Sequence, residues 1–155
     1  MKNTKYDIQK GLTFVELMVT ISIIFVTSLI VAASYPGIQK ELAIYRTAHK
    51  IAQDLRRAQT AAMSASCSSC QIIFNISQKT SYQVLGETVN LEKGVEFTSL
   101  SPASPLTISF SPPNPTTSIN GEIFGLDAEI VIFNGIRSKT VKINNAGRID
   151  ISISD

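Results

Sequence analysis

Lys10-Gly11-Leu12-Thr13-Phe14-Val15-Glu16-Leu17 is the stretch whose reading decides the fold. A short basic leader ends in Gly11, and an uninterrupted apolar run begins at Leu12. From Leu12 to Tyr35 (LTFVELMVTISIIFVTSLIVAASY) the only charge is Glu16. A helix needs roughly 20 such residues to cross a hydrocarbon core of about 30 Å. A carboxylate in that layer costs about 2.5 kcal/mol or more, so its presence asks for a partner. Lys2, Lys5 and Lys10 precede the run, and positive residues hold their end of a span in the cytoplasm. The rest of the chain is then expected outside, as a single-pass cytoplasmic (inner) membrane protein.

Three plainer readings meet the same residues. A secretory signal peptide shares the basic start, and Ala32-Ala33-Ser34 could serve as its small-residue cleavage site. Its apolar core is usually about 7 to 15 residues, shorter than this run. A simple membrane anchor leaves Gly11 and Glu16 without a purpose. A buried soluble helix is disfavoured because the run is too long and too uniformly apolar. The Gly11 junction with Glu16 five residues on resembles the class III signal of type IV prepilins and pseudopilins. That resemblance implies cleavage by a prepilin peptidase between Gly11 and Leu12, and N-methylation of Leu12. It further implies that Glu16 pairs with the N-terminal amine of a neighbouring subunit during assembly. A buried carboxylate and a buried ammonium are each costly alone and tolerable together.

The same resemblance divides the chain into a leader at 1–11, a transmembrane and assembly helix at 12–35, an amphipathic continuation at 36–66, and a globular β-sheet head at 67–155. The leader accounts for the whole formal charge of +2, so the remainder is neutral by count. With 44% apolar residues and no Trp, the remainder can build one modest core. Pro36-Gly37 predicts a kink or local unwinding, because Pro removes a helical hydrogen bond and crowds the preceding turn. Beyond it, Ile38, Leu42, Tyr45, Ala48, Ala52, Leu55, Ala58 and Ala62 recur at steps of three and four. This spacing predicts an amphipathic helix to about Ser64, packed on a small sheet.

From Gln71 the period changes to two. Gln71–Ile76 and Ser81–Leu85 read as a hairpin, and Val89–Leu91 and Val95–Phe97 flank a turn at Gly94. Leu106–Phe110, Glu129–Phe133, Thr140–Asn144 and Arg148–Ile153 read as further strands, the last two joined across Asn145-Ala146-Gly147. Pro112, Pro113 and Pro115 exclude a central strand between 111 and 118. The expected fold is α+β: a long N-terminal helix, transmembrane then amphipathic, packed on a small antiparallel sheet in a pilin-like head. Leu55-Arg56-Arg57-Ala58 before the first strand, and Gly147-Arg148 late in the head, resemble the GspH/FimT group of minor pilins. The resemblance implies a structural subunit of a type IV pilus or a type II secretion pseudopilus. Its partners would be the prepilin peptidase, other pilin or pseudopilin subunits, an inner-membrane assembly platform and membrane lipid.

Some members of that group are implied in DNA capture, which makes a DNA-binding tip subunit the alternative. Arg137, Lys139, Lys142 and Arg148 would supply the cations, against Asp150. There is no aromatic platform beside them, and position 150 is Asp where a second Arg would be wanted. A solvated hairpin is the plainer reading. Residues 87–129, by contrast, hold Glu87, Glu92, Glu96, Glu122, Asp127 and Glu129 with only Lys93.

Cys67 and Cys70 are the only cysteines. A zinc site needs four ligands, and the lone His49 brings no second cysteine pair, so no metal is expected. Outside the cytoplasm a short structural disulfide is expected, with two free thiols left open. The chain shows no phosphate-cradling Gly loop, nucleophile elbow or His-Glu ligand pair, so neither an enzyme nor a cofactor is expected. Asn75-Ile76-Ser77 fits a glycosylation sequon that reads as a chance match in a strand.

Overall fold

The computed structural model describes residues 13–67, 70–111, 116–123 and 125–154. The cleavage junction Gly11-Leu12 lies outside them. The chain divides into two compact units between Gly37 and Ile38. One helix, α1 (Phe14–Met63), contributes to both. It is helical through Pro36 and Gly37, so the expected local unwinding is not found there. Nine strands follow: β1 (Cys70–Phe74), β2 (Ser81–Val84), β3 (Glu87–Asn90), β4 (Glu96–Ser101), β5 (Leu106–Ser111), β6 (Thr116–Ile119), β7 (Ala128–Phe133), β8 (Ser138–Ile143) and β9 (Ile149–Ser154).

The class is α+β, but the head carries two antiparallel sheets where one small sheet was expected. The first has the order β3-β2-β1-β5-β6 and the second β4-β7-β8-β9. The residues expected around Gly94 do not form a hairpin. Instead β3 closes back on β2, pairing Val84 with Glu87 across Leu85-Gly86, and β4 departs to the second sheet against β7. Leu85 (φ 51°) and Gly86 (φ 87°) both adopt the left-handed conformation, the requirement of a two-residue type I′ turn. Asn120 (φ 51°) and Gly121 (φ 87°) repeat this device after β6, bridging Ile119 to Glu122. Strand β6 is an edge strand, in keeping with the prolines before it.

Within the second unit, the helix buries Ile44, Thr47, Ala48, Ile51, Ala52, Leu55, Ala58 and Ala62. Steps of three and four place these on one face. The stripe predicted from sequence starts on the wrong side: Ile38, Leu42 and Tyr45 are exposed, and Ile44 and Ile51 take their place. Both sheets share the core, with Ile72 and Ile108 from the first and Ile130, Ile132, Val141 and Ile143 from the second. Phe74 and Tyr82 stack at 5.2 Å between ring centroids, and Phe97 meets their edges at 5.7 and 6.2 Å. Such offset and edge-on arrangements complement the ring quadrupoles, so β1, β2 and β4 are held by shape as well as by area.

Candidate functional site

The first unit offers a helix built for an apolar solvent. Phe14–Ala32 is long and apolar enough to cross a membrane, with a mean hydropathy of 2.4 and none of it buried inside the chain. At 1.5 Å per residue these 19 residues span about 28 Å. Its hydroxyls are satisfied locally. Thr20 donates to the Leu17 carbonyl at 2.8 Å, Ser22 to Met18 at 2.8 Å, Thr27 to Ile23 at 2.9 Å and Ser28 to Ile24 at 2.7 Å. Back-bonded hydroxyls present little unmet polarity to lipid.

Glu16 differs from these residues. Thr13 stands just before the helix, and its Oγ1 accepts the Glu16 amide at 3.3 Å while its carbonyl accepts the Leu17 amide at 3.1 Å. Thr13-Phe14-Val15-Glu16 therefore has the Thr-x-x-Glu spacing of a capping box, and a first-turn carboxylate also suits the helix dipole. This local role is legible in the Thr-x-x-Glu spacing of the sequence. Among the described residues, no hydrogen bond or ion pair reaches the Glu16 carboxylate itself. The chain thus places one carboxylate in an exposed apolar span.

The cations considered for DNA do not come together. Arg137 precedes β8 and Arg148 follows it, so they sit at opposite ends of a six-residue strand, about 20 Å apart. Lys139 and Lys142 are three positions apart and face opposite sides of the sheet. Each also has a companion within the chain. Arg137 Nη1 lies 2.9 Å from Glu41 Oε1, and Arg148 Nε lies 2.9 Å from Asp150 Oδ2. Lys142 pairs with Glu129. Lys139 is only 6% exposed, and its Nζ sits 3.3 Å above the centre of the Tyr45 ring, a cation–π contact. His49 is exposed and stacks against the same ring at 6.1 Å. It does not enter the core.

Cys67 and Cys70 are joined as a disulfide with their Cα atoms 5.6 Å apart, at the passage from helix to β1. Among the described residues no group of three or more His, Cys, Asp and Glu side chains gathers as a metal site would require. Asn75 lies in a turn, not in a strand, and its Oδ1 accepts the Ser77 amide at 2.9 Å.

Three polar contacts that sequence reading missed fix the helix of the second unit to the head. Asn134 Nδ2 donates to the Lys40 carbonyl at 2.8 Å, while its Oδ1 accepts the Ile136 and Arg137 amides at 3.0 and 2.8 Å. Tyr82 Oη donates to Asp54 Oδ2 at 2.6 Å. Burial, then the hydrogen bond and charge of Asp54, push the Tyr82 phenol well above its ordinary value. Gln59 Nε2 donates to the Gly147 carbonyl at 2.6 Å. A Cβ at Gly147 (φ 78°) would stand 2.7 Å from Gln59 Nε2 and 3.1 Å from Thr117 Oγ1, so a side chain there would push the Gln59 amide from its place and strain the backbone. Single polar residues on a helix carry no periodic signature that would mark these roles in advance.

Compared with known protein families, curated proteins and solved structures, the chain matches none.

Proposed function

We propose that this chain is a minor pilin or pseudopilin, a structural subunit of a type IV pilus or a type II secretion pseudopilus. One observation carries the reading: a lone carboxylate, Glu16, in an otherwise uncharged and fully exposed apolar span, just after a Gly-terminated basic leader. A carboxylate in lipid is expensive and an unpaired one more so, which favours an ammonium partner supplied by assembly. The leader is removed after Gly11 by a prepilin peptidase, and Leu12 becomes the methylated N-terminal residue. The subunit starts in the cytoplasmic membrane with its head outside, is handled by an inner-membrane assembly platform, and passes into a filament with other subunits. The role is structural, without catalysis or cofactor. The DNA-uptake alternative gains nothing from Arg137, Lys139, Lys142 and Arg148, which are dispersed and engaged.

The test is the intact mass and N-terminal sequence of the membrane-extracted chain, with and without a co-expressed prepilin peptidase. The expected result is a chain beginning at methylated Leu12 only when the peptidase is present. A chain beginning at Tyr35 would mark a secreted domain, and one beginning at Met1 a fixed anchor; each would end this reading.

A further inference from the structure

Once charges with partners are set aside, the helix of the second unit keeps only cations. Glu41, Glu96, Glu129 and Asp150 are spent on Arg137, Lys79, Lys142 and Arg148, and Asp54 on the Tyr82 hydroxyl. On the helix, Lys40, Arg46, Lys50, Arg56 and Arg57 remain exposed and without an ion pair among the described residues, and Arg46, Lys50 and Arg57 line up. Their separations of four and seven residues, at about 100° each, place them on one stripe opposite the buried Ile44, Ile51 and Leu55. Eleven residues at 1.5 Å make that stripe about 16 Å long. Leu42, 45% exposed, adjoins it one turn before Arg46.

Exposed acids without an ion pair among the described residues stand at Glu87 and Glu92, where the equally exposed Lys93 adjoins them, and beyond β6, where no cation does. No Lys or Arg occurs from residue 94 to residue 136. Glu122 and Asp127 are exposed there, without an ion pair among the described residues, and flank Ile123, itself 45% exposed. The position of Glu122 is fixed by the Asn120-Gly121 turn. Its amide donates to the Ile119 carbonyl at 3.0 Å, and Asn120 Oδ1 accepts the Thr107 amide at 2.7 Å. The molecule therefore holds two exposed surfaces of opposite charge, each beside one exposed aliphatic residue, and neither has an ion pair among the described residues.

We infer that the Arg46-Lys50-Arg57 stripe of one copy receives the Glu122-Asp127 tip of a second copy. A second copy is favoured over an acidic lipid surface or nucleic acid because the complementary acids are present, exposed and unspent on this same chain. The two patches are different surfaces, so the contact is head-to-tail and repeats from copy to copy, as a ring or an open helix. Exposed ion pairs are individually weak, so the contact is salt-sensitive and acts chiefly on register and encounter. The inference rests on the filament reading above, and names which faces of neighbouring subunits meet.

The test uses the full chain, leader included, as a mixture of unlabelled and 15N-labelled protein in neutral phosphatidylcholine vesicles. A carbodiimide joins an amine to a carboxylate in direct contact. The expected product is a mixed-label peptide linking Lys50 to Glu122 or Asp127. The paired reversals Arg46→Glu with Arg57→Glu, and Glu122→Lys with Asp127→Lys, should each lower mixed-label dimer by about tenfold, and all four together should restore it. All four positions are exposed, so unchanged circular dichroism is expected of every variant. Absence of the mixed-label link, or a link indifferent to the reversals, overturns the inference. So does binding to phosphatidylglycerol vesicles or DNA that depends on the stripe but not on Glu122 and Asp127. The assay needs neither leader removal nor a filament. A link in vesicles, with no leader removal by a co-expressed prepilin peptidase in cells, would sink only the filament reading, and filaments without the link only this contact.

Discussion

The two stretches of α1 on either side of Gly37 share a helix and differ in what surrounds them. In the first, Ile24 and Val31 are 64% and 67% exposed, and the hydroxyls turn inward to their own backbone. In the second, Ile51 and Leu55 are fully buried, and polar side chains reach outward to fix the head. Apolar surface left uncovered by the chain points to another medium or another copy; apolar surface already covered points to stability. Substitutions of like kind should therefore read out differently in the two stretches.

The largest contrast is between Leu55→Ala and Ile24→Ala. Leu55→Ala leaves a cavity between helix and sheets, and should lower the stability of the 38–155 unit by about 2–5 kcal/mol in denaturant unfolding. Ile24→Ala should leave that transition in place. Equal shifts would mean that the first stretch also packs on the head. Next comes Gly147→Ala, where a new Cβ collides with Gln59 Nε2 and Thr117 Oγ1 in a left-handed backbone. A loss of about 2–3 kcal/mol is expected, against about 1 kcal/mol for Gly86→Ala, whose Cβ meets nothing within 4 Å.

Tyr82→Phe removes the 2.6 Å bond to Asp54 and should cost about 1–2 kcal/mol at neutral pH. It should also change the pH profile. The folded-state pKa of Tyr82 is raised, so the unfolded chain gives up its proton first. The stabilisation is complete below the unfolded value of about 10 and declines as pH rises beyond it. Wild type should lose stability above about pH 10, and Tyr82→Phe should flatten that decline when melting is followed against pH. The smallest effect is expected from Lys142→Ala, about 0–1 kcal/mol and fading with added salt, because the pair with Glu129 is half-exposed.

The elements with strong periods were legible in the sequence. The apolar run, the helix ending near Ser64, and strands β1, β2, β5, β7, β8 and β9 all follow from spacing and turn residues. The break came where a turn conformation overrides residue type. Leu85 takes a left-handed φ that its side chain disfavours, so β3 folds back on β2 and the expected hairpin around Gly94 gives way to a crossing into a second sheet. The Asn120-Gly121 turn carried a readable signal that the proline-rich segment before it obscured. The helix face was offset because the exposed Ile38, Leu42 and Tyr45 are as apolar as the buried Ile44 and Ile51, and periodicity alone cannot rank them. At the candidate site, the lone carboxylate and its Thr13 cap were both legible. Thr13 as the cap needed only the Thr-x-x-Glu spacing, whereas the neutral reach of Gln59 and Asn134 across the head is a matter of tertiary geometry.

Glu16 separates the two roles that its position allows, capping within the chain and pairing between chains. Gln keeps the spacing and hydrogen-bonding capacity of the cap but removes the charge. The decisive measurement is incorporation of Glu16→Gln into filaments sheared from cells, alongside its membrane level and leader removal. Normal insertion and cleavage with incorporation lost are expected. Incorporation equal to wild type would show that Glu16 serves the helix end alone, and would contradict the pairing on which the filament reading stands.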